Sequence, residues 1–112
     1  SDPDAYGTFA TEYQKKYGAF PAQEAHDQAA GLYAVVQALE QKPTTDPAVL
    51  NETLHSGTFD LGTAGTMPGG KLKWDEAGAN SIGKPLMVQW QDGKLVGVWP
   101  SELTSHKPIW GH

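Results

Sequence analysis

The chain contains no cysteine. Disulfide staples, thiol nucleophiles and thiolate metal sites are therefore excluded, while the compartment stays open, since cysteine-free chains occur on both sides of a membrane. A basic surplus is missing too. Eight Lys and Arg stand against 13 Asp and Glu, a formal net charge of −5. That balance gives no footprint for nucleic acid, and no polybasic run suits an anionic membrane surface. No apolar run approaches the roughly 18 residues of a membrane span, and the opening SDPDAYG is too polar for a signal peptide. That opening, and an ending in IWGH without a cap or polar tail, read as the interior of a longer chain, so a fragment is expected. With 38% hydrophobic residues, 13 Gly and 8 Pro in 112 residues, one domain can form a core, but a thin one.

What is present is organised around residues 21–41, PAQEAHDQAAGLYAVVQALEQ. Ala25, Ala29, Leu32, Val36 and Leu39 recur at steps of four and three, which predicts one apolar stripe on a helix. Tyr33 and Val35 widen it, and Ala25, Ala29, Ala30, Gly31 and Ala34 are small enough for a close neighbour. Pro21 suits the first turn and Pro43 forbids continuation. A first helix is expected over 4–17, with Tyr6, Phe9, Ala10, Tyr13 and Tyr17 on one side, Lys15 and Lys16 in the last turn, and Gly18 as a left-handed stop. A third follows KPTTDP, capped by Thr45 or Asp46, with Pro47 at its first position, Val49, Leu50 and Leu54 inward, and its end near 55–57.

After Gly57 the pattern loses its period. Residues 58–70 hold four glycines and a proline and read as a functional or mobile loop with a short strand near 59–61. Residues 71–74 alternate as a half-buried strand, and 75–80 form a turn. Residues 86–91 and 94–99 are two β runs joined by Asp92-Gly93, a strong hairpin signal. Val88 and Trp90 share one face; Met87, Gln89 and Gln91 share the other. The tail 101–112 is expected along a surface. Few strands are on offer for so apolar a central helix, which leaves that helix without an obvious sheet to pack on.

Chemistry is sparse. His26 and Asp27 are adjacent, so on a helix they diverge by about 100° and chelate one ion poorly. His55, His106 and His112 lack the i, i+4 spacing of a zinc helix, so surface histidine is the expectation for all four. Glu24 with Asp27 falls in opening helical turns, where carboxylates favour the dipole; Asp75 with Glu76 belongs to a turn. No serine sits in G-x-S-x-G, and 58–70 lacks the Lys-Ser/Thr ending of a phosphate loop. Trp74, Trp90, Trp99 and Trp110 suit either an aromatic groove or, more simply, core and sheet faces. The residues themselves describe a mixed α/β binding module with no catalytic set, no metal set and no cofactor motif.

The order of motifs adds a resemblance. Phe9-x-x-x-Tyr13-x-x-x-Tyr17-Gly18 precedes a Pro-led, Ala-rich helix ending Ala38-Leu39-Glu40, then a helix opened by Thr45-Asp46-Pro47. Lys71-Leu72-Lys73-Trp74-Asp75-Glu76-x-Gly78 follows, and then Lys84-Pro85-Leu86-Met87-Val88-Gln89-Trp90-Gln91-Asp92-Gly93-Lys94. Over nearly the whole chain this resembles the C-terminal third of a branched-chain-amino-acid-type periplasmic binding protein, the solute-binding component of an ABC importer. The resemblance implies an α/β chain that is a portion of a two-lobe type I periplasmic-binding-protein fold: three helices, then a strand and a β-hairpin. Residues 4–57 would belong to the first lobe, 84–100 would include the last hinge crossing and its strands, and 101–112 would lie on the second lobe.

It further implies a small-molecule ligand clamped between the lobes, with Gln23, Glu24 and Asp27 as the ligand-contacting residues. Glu24 aligns with a cleft position that is often aromatic in the family, so a ligand bearing an amine or other hydrogen-bond donors is implied. The implied partners are the remainder of the binding-protein chain and a membrane permease, and the implied location is periplasmic or extracytoplasmic. A ligand-sensing regulator of the same fold is the alternative; a small hydrolase using Glu24 or His26, or an autonomous structural domain, are more distant ones.

Overall fold

The structure, a computed structural model, describes residues 5–111. Three helices, α1 (Ala5–Tyr17), α2 (Gln23–Gln41) and α3 (Pro47–Ser56), lead into a short 3₁₀ helix, η1 (Gly62–Thr66), and then an antiparallel hairpin of β1 (Met87–Gln91) and β2 (Lys94–Trp99). This is the expected order of three helices and a hairpin. Asp4, the expected first residue of α1, lies outside the described residues, as do His112 and the side chain of Tyr6.

The helix signals act as their chemistry requires. Gly18, at φ +71°, ends α1 and donates its N–H to Gln14 O at 2.8 Å. Asp46 caps α3, its Oδ1 accepting from Ala48 N at 2.8 Å, with Pro47 at the first helical position. The start of α2 differs from expectation. Pro21 is buried ahead of the helix, and Ala22, which has no side chain to cap with, holds the N-cap position.

The buried face of α2 also differs. Ala30, Ala34 and Ala38 are buried, whereas Leu32 is 66% exposed and Val36 39%. The reason is room: alanines spaced four apart leave a shallow groove, and the stretch after α3 fills it, with the Phe59 ring fully buried. Phe59, Ala64 and Leu72 complete the core against those alanines, with Leu50, Leu54, Met67 and Trp74 packed around it. The segment 58–70, expected as a loose loop, thus supplies the packing partner of the central helix.

Polar bonds hold that segment in place. Gln37 Oε1 on α2 accepts from both Asp60 N (2.9 Å) and Leu61 N (3.0 Å). Phe59 and Leu72 exchange both backbone bonds, at 2.9 and 2.7 Å. In place of the strand expected at 71–74 there are single bridges, Phe59 to Leu72 and Trp74 to Asn80. The alternation survives nonetheless, with Leu72 buried between exposed Lys71 and Lys73. The following turn is closed by Asp75, whose Oδ1 accepts from Ala77 N and Ala79 N, both at 2.9 Å.

The hairpin turns at Asp92 (φ 50°) and Gly93 (φ 75°), both left-handed, as a two-residue primed turn demands. Trp90 faces Leu95 and Val88 faces Gly97; a register shift between Met87 and Val88 skips the buried Val98. The tail runs along the hairpin, as expected of a surface segment. Gln89 both donates to Ile109 O (2.7 Å) and accepts from Ile109 N (2.8 Å), while Gln91 donates to Lys107 O (2.8 Å). Trp90, Trp99 and Trp110 remain exposed, and only Trp74 reaches the core. The molecule is elongated, 57 × 33 × 21 Å, with a radius of gyration of 16.1 Å, against about 13 Å for a compact domain of this length. The helical unit has a core, whereas the hairpin and tail leave Val88, Trp90, Leu95, Ile109 and Trp110 exposed.

Candidate functional site

The opening turns of α2 carry the three expected ligand contacts. Because Ala22 offers no cap, the N–H groups of Gln23 and Glu24 are left without a hydrogen-bond partner among the described residues. Such an end concentrates positive potential. Gln23 and Glu24 are exposed and Asp27 is half-buried. Gln23 Nε2 donates weakly to Asp27 Oδ2 at 3.4 Å, so two of the three share one helical face. Glu24 makes no hydrogen bond or ion pair among the described residues and is free to engage a partner.

His26, expected as a surface histidine, is instead the joint between three elements. Its side chain is 12% exposed. The ring packs 5.9 Å from that of Phe9 on α1, and Nε2 lies 2.8 Å from Thr66 Oγ1 on η1. Thr66 Oγ1 donates in turn to Thr63 O at 2.8 Å. With its own hydrogen committed, the Thr66 hydroxyl accepts, which assigns the His26 proton to Nε2. Burial lowers the His26 pKa below the ordinary 6.5, opposed by the Asp27 carboxylate, whose Oδ1 is 3.9 Å from Nδ1. Sequence reasoning missed this role because the contacts come from residues 17 positions before and 40 after. The Phe9 spacing, on the inner side of α1, was the available clue.

A groove of about 860 Å³ runs between α1, α2 and η1. From α2 it is lined by Ala25, Gln28 and Tyr33, not by Gln23, Glu24 or Asp27. Among the described residues no three His, Asp or Glu side chains come together as metal ligands, and no helix is long and apolar enough to cross a membrane. His55 and His106 are exposed; the first bonds the Asn51 carbonyl and the second the Ser105 hydroxyl.

Comparison with known proteins bears on the chain as a whole. The chain is 32% identical over 94 residues to the Leu/Ile/Val-binding protein homolog 7 of Brucella suis biovar 1 (strain 1330). It is 31% identical over 93 residues to the homolog 7 of Brucella abortus (strain 2308). The chain is distantly homologous to the Leu/Ile/Val-binding proteins. Each match covers 82% of the chain but 23% of the relative, so the chain spans about a quarter of the length of these curated relatives. No family model and no solved structure matches it. The relatives are named for binding, not for catalysis.

Proposed function

We propose that the chain is the C-terminal portion of an extracytoplasmic solute-binding protein that captures a small amino-acid-like or organic-acid ligand between two lobes and hands it to the permease of an ABC importer. The observation that carries this reading is the match to the Leu/Ile/Val-binding protein homologs across 82% of the chain. In this reading residues 4–57 belong to the first lobe, 84–100 form the last crossing between lobes, and 101–112 lie on the second.

The physical support is unfinished burial. Leu32 and Val36 on α2, and Val88, Trp90, Leu95 and Trp99 on the hairpin, all remain exposed. An isolated two-stranded hairpin is marginal in water, and a lobe sheet laid against both surfaces would complete them. Gln23, Glu24 and Asp27 then meet the ligand from an uncapped helix start. Capture needs no covalent chemistry: a ligand touching both lobes stabilises the closed arrangement by its differential affinity for it. A thermal-shift screen of the complete protein against amino acids and organic acids tests the proposal. Binding to the folded state raises the melting temperature, by an amount set by ligand concentration over Kd. A flat response across both compound classes, or conversion of a bound compound to product, refutes it.

A further inference from the structure

Gln89 and Gln91 are the half-buried residues of β1, although both are polar and their neighbours Val88 and Trp90 are exposed. In an ordinary half-buried strand the apolar side turns inward. Here the polar side is covered, and the tail covers it. The two carboxamides act as one unit. Gln91 Nε2 donates to Gln89 Oε1 and to Lys107 O, both at 2.8 Å, which uses both of its hydrogens. Gln89 Oε1 accepts that bond and another from Ile109 N at 2.8 Å, while Gln89 Nε2 donates to Ile109 O at 2.7 Å. Turning either carboxamide over would set donor against donor or acceptor against acceptor, so each fixes the other's orientation.

The pair bonds the backbone of Lys107 and Ile109 and skips Pro108 between them, which has no N–H to offer. Proline thus stands at the position where no donor is required. It also fixes its own φ and restricts Lys107 to extended backbone before docking. Little else holds the tail: Ile109 is 62% exposed and Trp110 79%. Three hydrogen bonds fix residues 107–109, and ordering one residue costs about what one neutral hydrogen bond returns. The balance lies near zero, which is the condition for a segment that opens and closes. The tail leaves from the end of β2 yet is bonded to β1, 16 and 20 residues away, so docking joins the two strands a second time. A two-stranded hairpin is marginal alone in water, and among the described residues no further strand pairs with this one.

We infer that residues 105–110 are a strap that opens and closes on the hairpin, with Gln89 and Gln91 as its clasp and Pro108 favouring closure, and that the closed strap holds β1 to β2. In the transport reading the hairpin belongs to the crossing between lobes, and a closed strap would stiffen that crossing. The clasp itself uses neither the other lobe nor a ligand, so its test stands apart from that reading.

The test is solvent exchange of single amides, followed by NMR in the full 112-residue chain. Closure protects the Ile109 N–H, which should exchange about two- to tenfold more slowly than in a peptide of residues 105–112 at the same pH. In Gln89→Leu that protection should vanish, and in Pro108→Ala it should fall about twofold or more. Gln89→Glu keeps the acceptor for Ile109 N but turns a carboxylate oxygen toward Ile109 O. Its protection, relative to the peptide, should be lost at neutral pH and return in acid. Ile109→Pro removes the strap's own N–H and leaves the hairpin sequence intact. The amides of β1 and β2 should then exchange about two- to tenfold faster, while those of α2 keep their rates. The inference is overturned by an Ile109 amide that exchanges as in the peptide, by protection that survives Gln89→Leu or is undiminished in Pro108→Ala, by a Gln89→Glu variant without pH dependence, or by hairpin amides unmoved in Ile109→Pro.

Discussion

Replacing Gln37 with alanine should release the segment that fills the core against α2. Its carboxamide accepts two backbone hydrogen bonds, from Asp60 N at 2.9 Å and Leu61 N at 3.0 Å, and its Nε2 lies 3.3 Å from Asp60 Oδ1. Asp60 is exposed, so water replaces its lost bond and the cost there is small, about 0.5 kcal/mol. Leu61 is half-buried, and its N–H loses a partner where water enters poorly, at about 1 to 2.5 kcal/mol. The expected total is roughly 1.5 to 3 kcal/mol, or one to two orders of magnitude in a local opening constant. Amide hydrogen exchange at Leu61 reads that constant directly. Glu at position 37 keeps the acceptor but turns a second oxygen toward the Asp60 carboxylate. Its Leu61 protection should therefore fall at neutral pH and recover in acid. Unchanged Leu61 exchange in Gln37→Ala would refute the view that this side chain anchors the segment.

Three further outcomes follow from the same geometry. Ala34 is fully buried, so Ala34→Leu should overpack the contact with the 59–72 segment and cost about 1 to 3 kcal/mol in urea unfolding. Leu32→Gln should stay within about 0.5 kcal/mol in this chain, yet cost about 1.5 to 3 kcal/mol in the complete protein if a sheet covers that side; equal effects in both would contradict the lobe assignment. His26 has a lowered folded pKa, chiefly through burial, so the unfolded chain takes up the proton more readily. Its contribution is therefore fully present above the unfolded value of 6.5, declines as pH falls through it, and levels off once the folded form is protonated. A pH series of melting temperatures for the wild type and His26→Gln checks this, with the difference between them shrinking on acidification. Asp27→Asn removes the charge that opposes burial, and should move the His26 titration, followed by NMR, to still lower pH.

Local signals in the sequence carried the element order well. Gly18, Asp46-Pro47 and Asp92-Gly93 each impose a backbone geometry on their own neighbours, and each stands where its chemistry places it. The face of α2 was harder, because periodicity ranks residues by hydrophobicity and so favours Leu32 and Val36 over Ala34 and Ala38. The structure selects by size, since small side chains on α2 leave room for the Phe59 ring, Ala64 and Leu72. The period in 58–70 is lost in the same way: four glycines and a proline erase it, while Phe59, Ala64 and the Gln37 bonds, all fixed by contacts across the chain, do the packing. At the candidate site, Gln23, Glu24 and Asp27 came from the resemblance alone, and the shared helical face of Gln23 and Asp27 came from the structure. The His26 joint to Phe9 and Thr66 was not legible, being built from three elements that only the fold brings together.

The ligand contact assigned to the start of α2 is the claim on which the functional account rests. Isothermal titration of the complete protein with the compound that most raises its melting temperature, against Glu24→Gln and Asp27→Asn, tests it directly. The account predicts that each substitution weakens binding about tenfold or more, as expected for a lost hydrogen bond to a charged group, with the melting temperature of the unliganded protein nearly unchanged for Glu24→Gln. Wild-type affinity in both variants would contradict it.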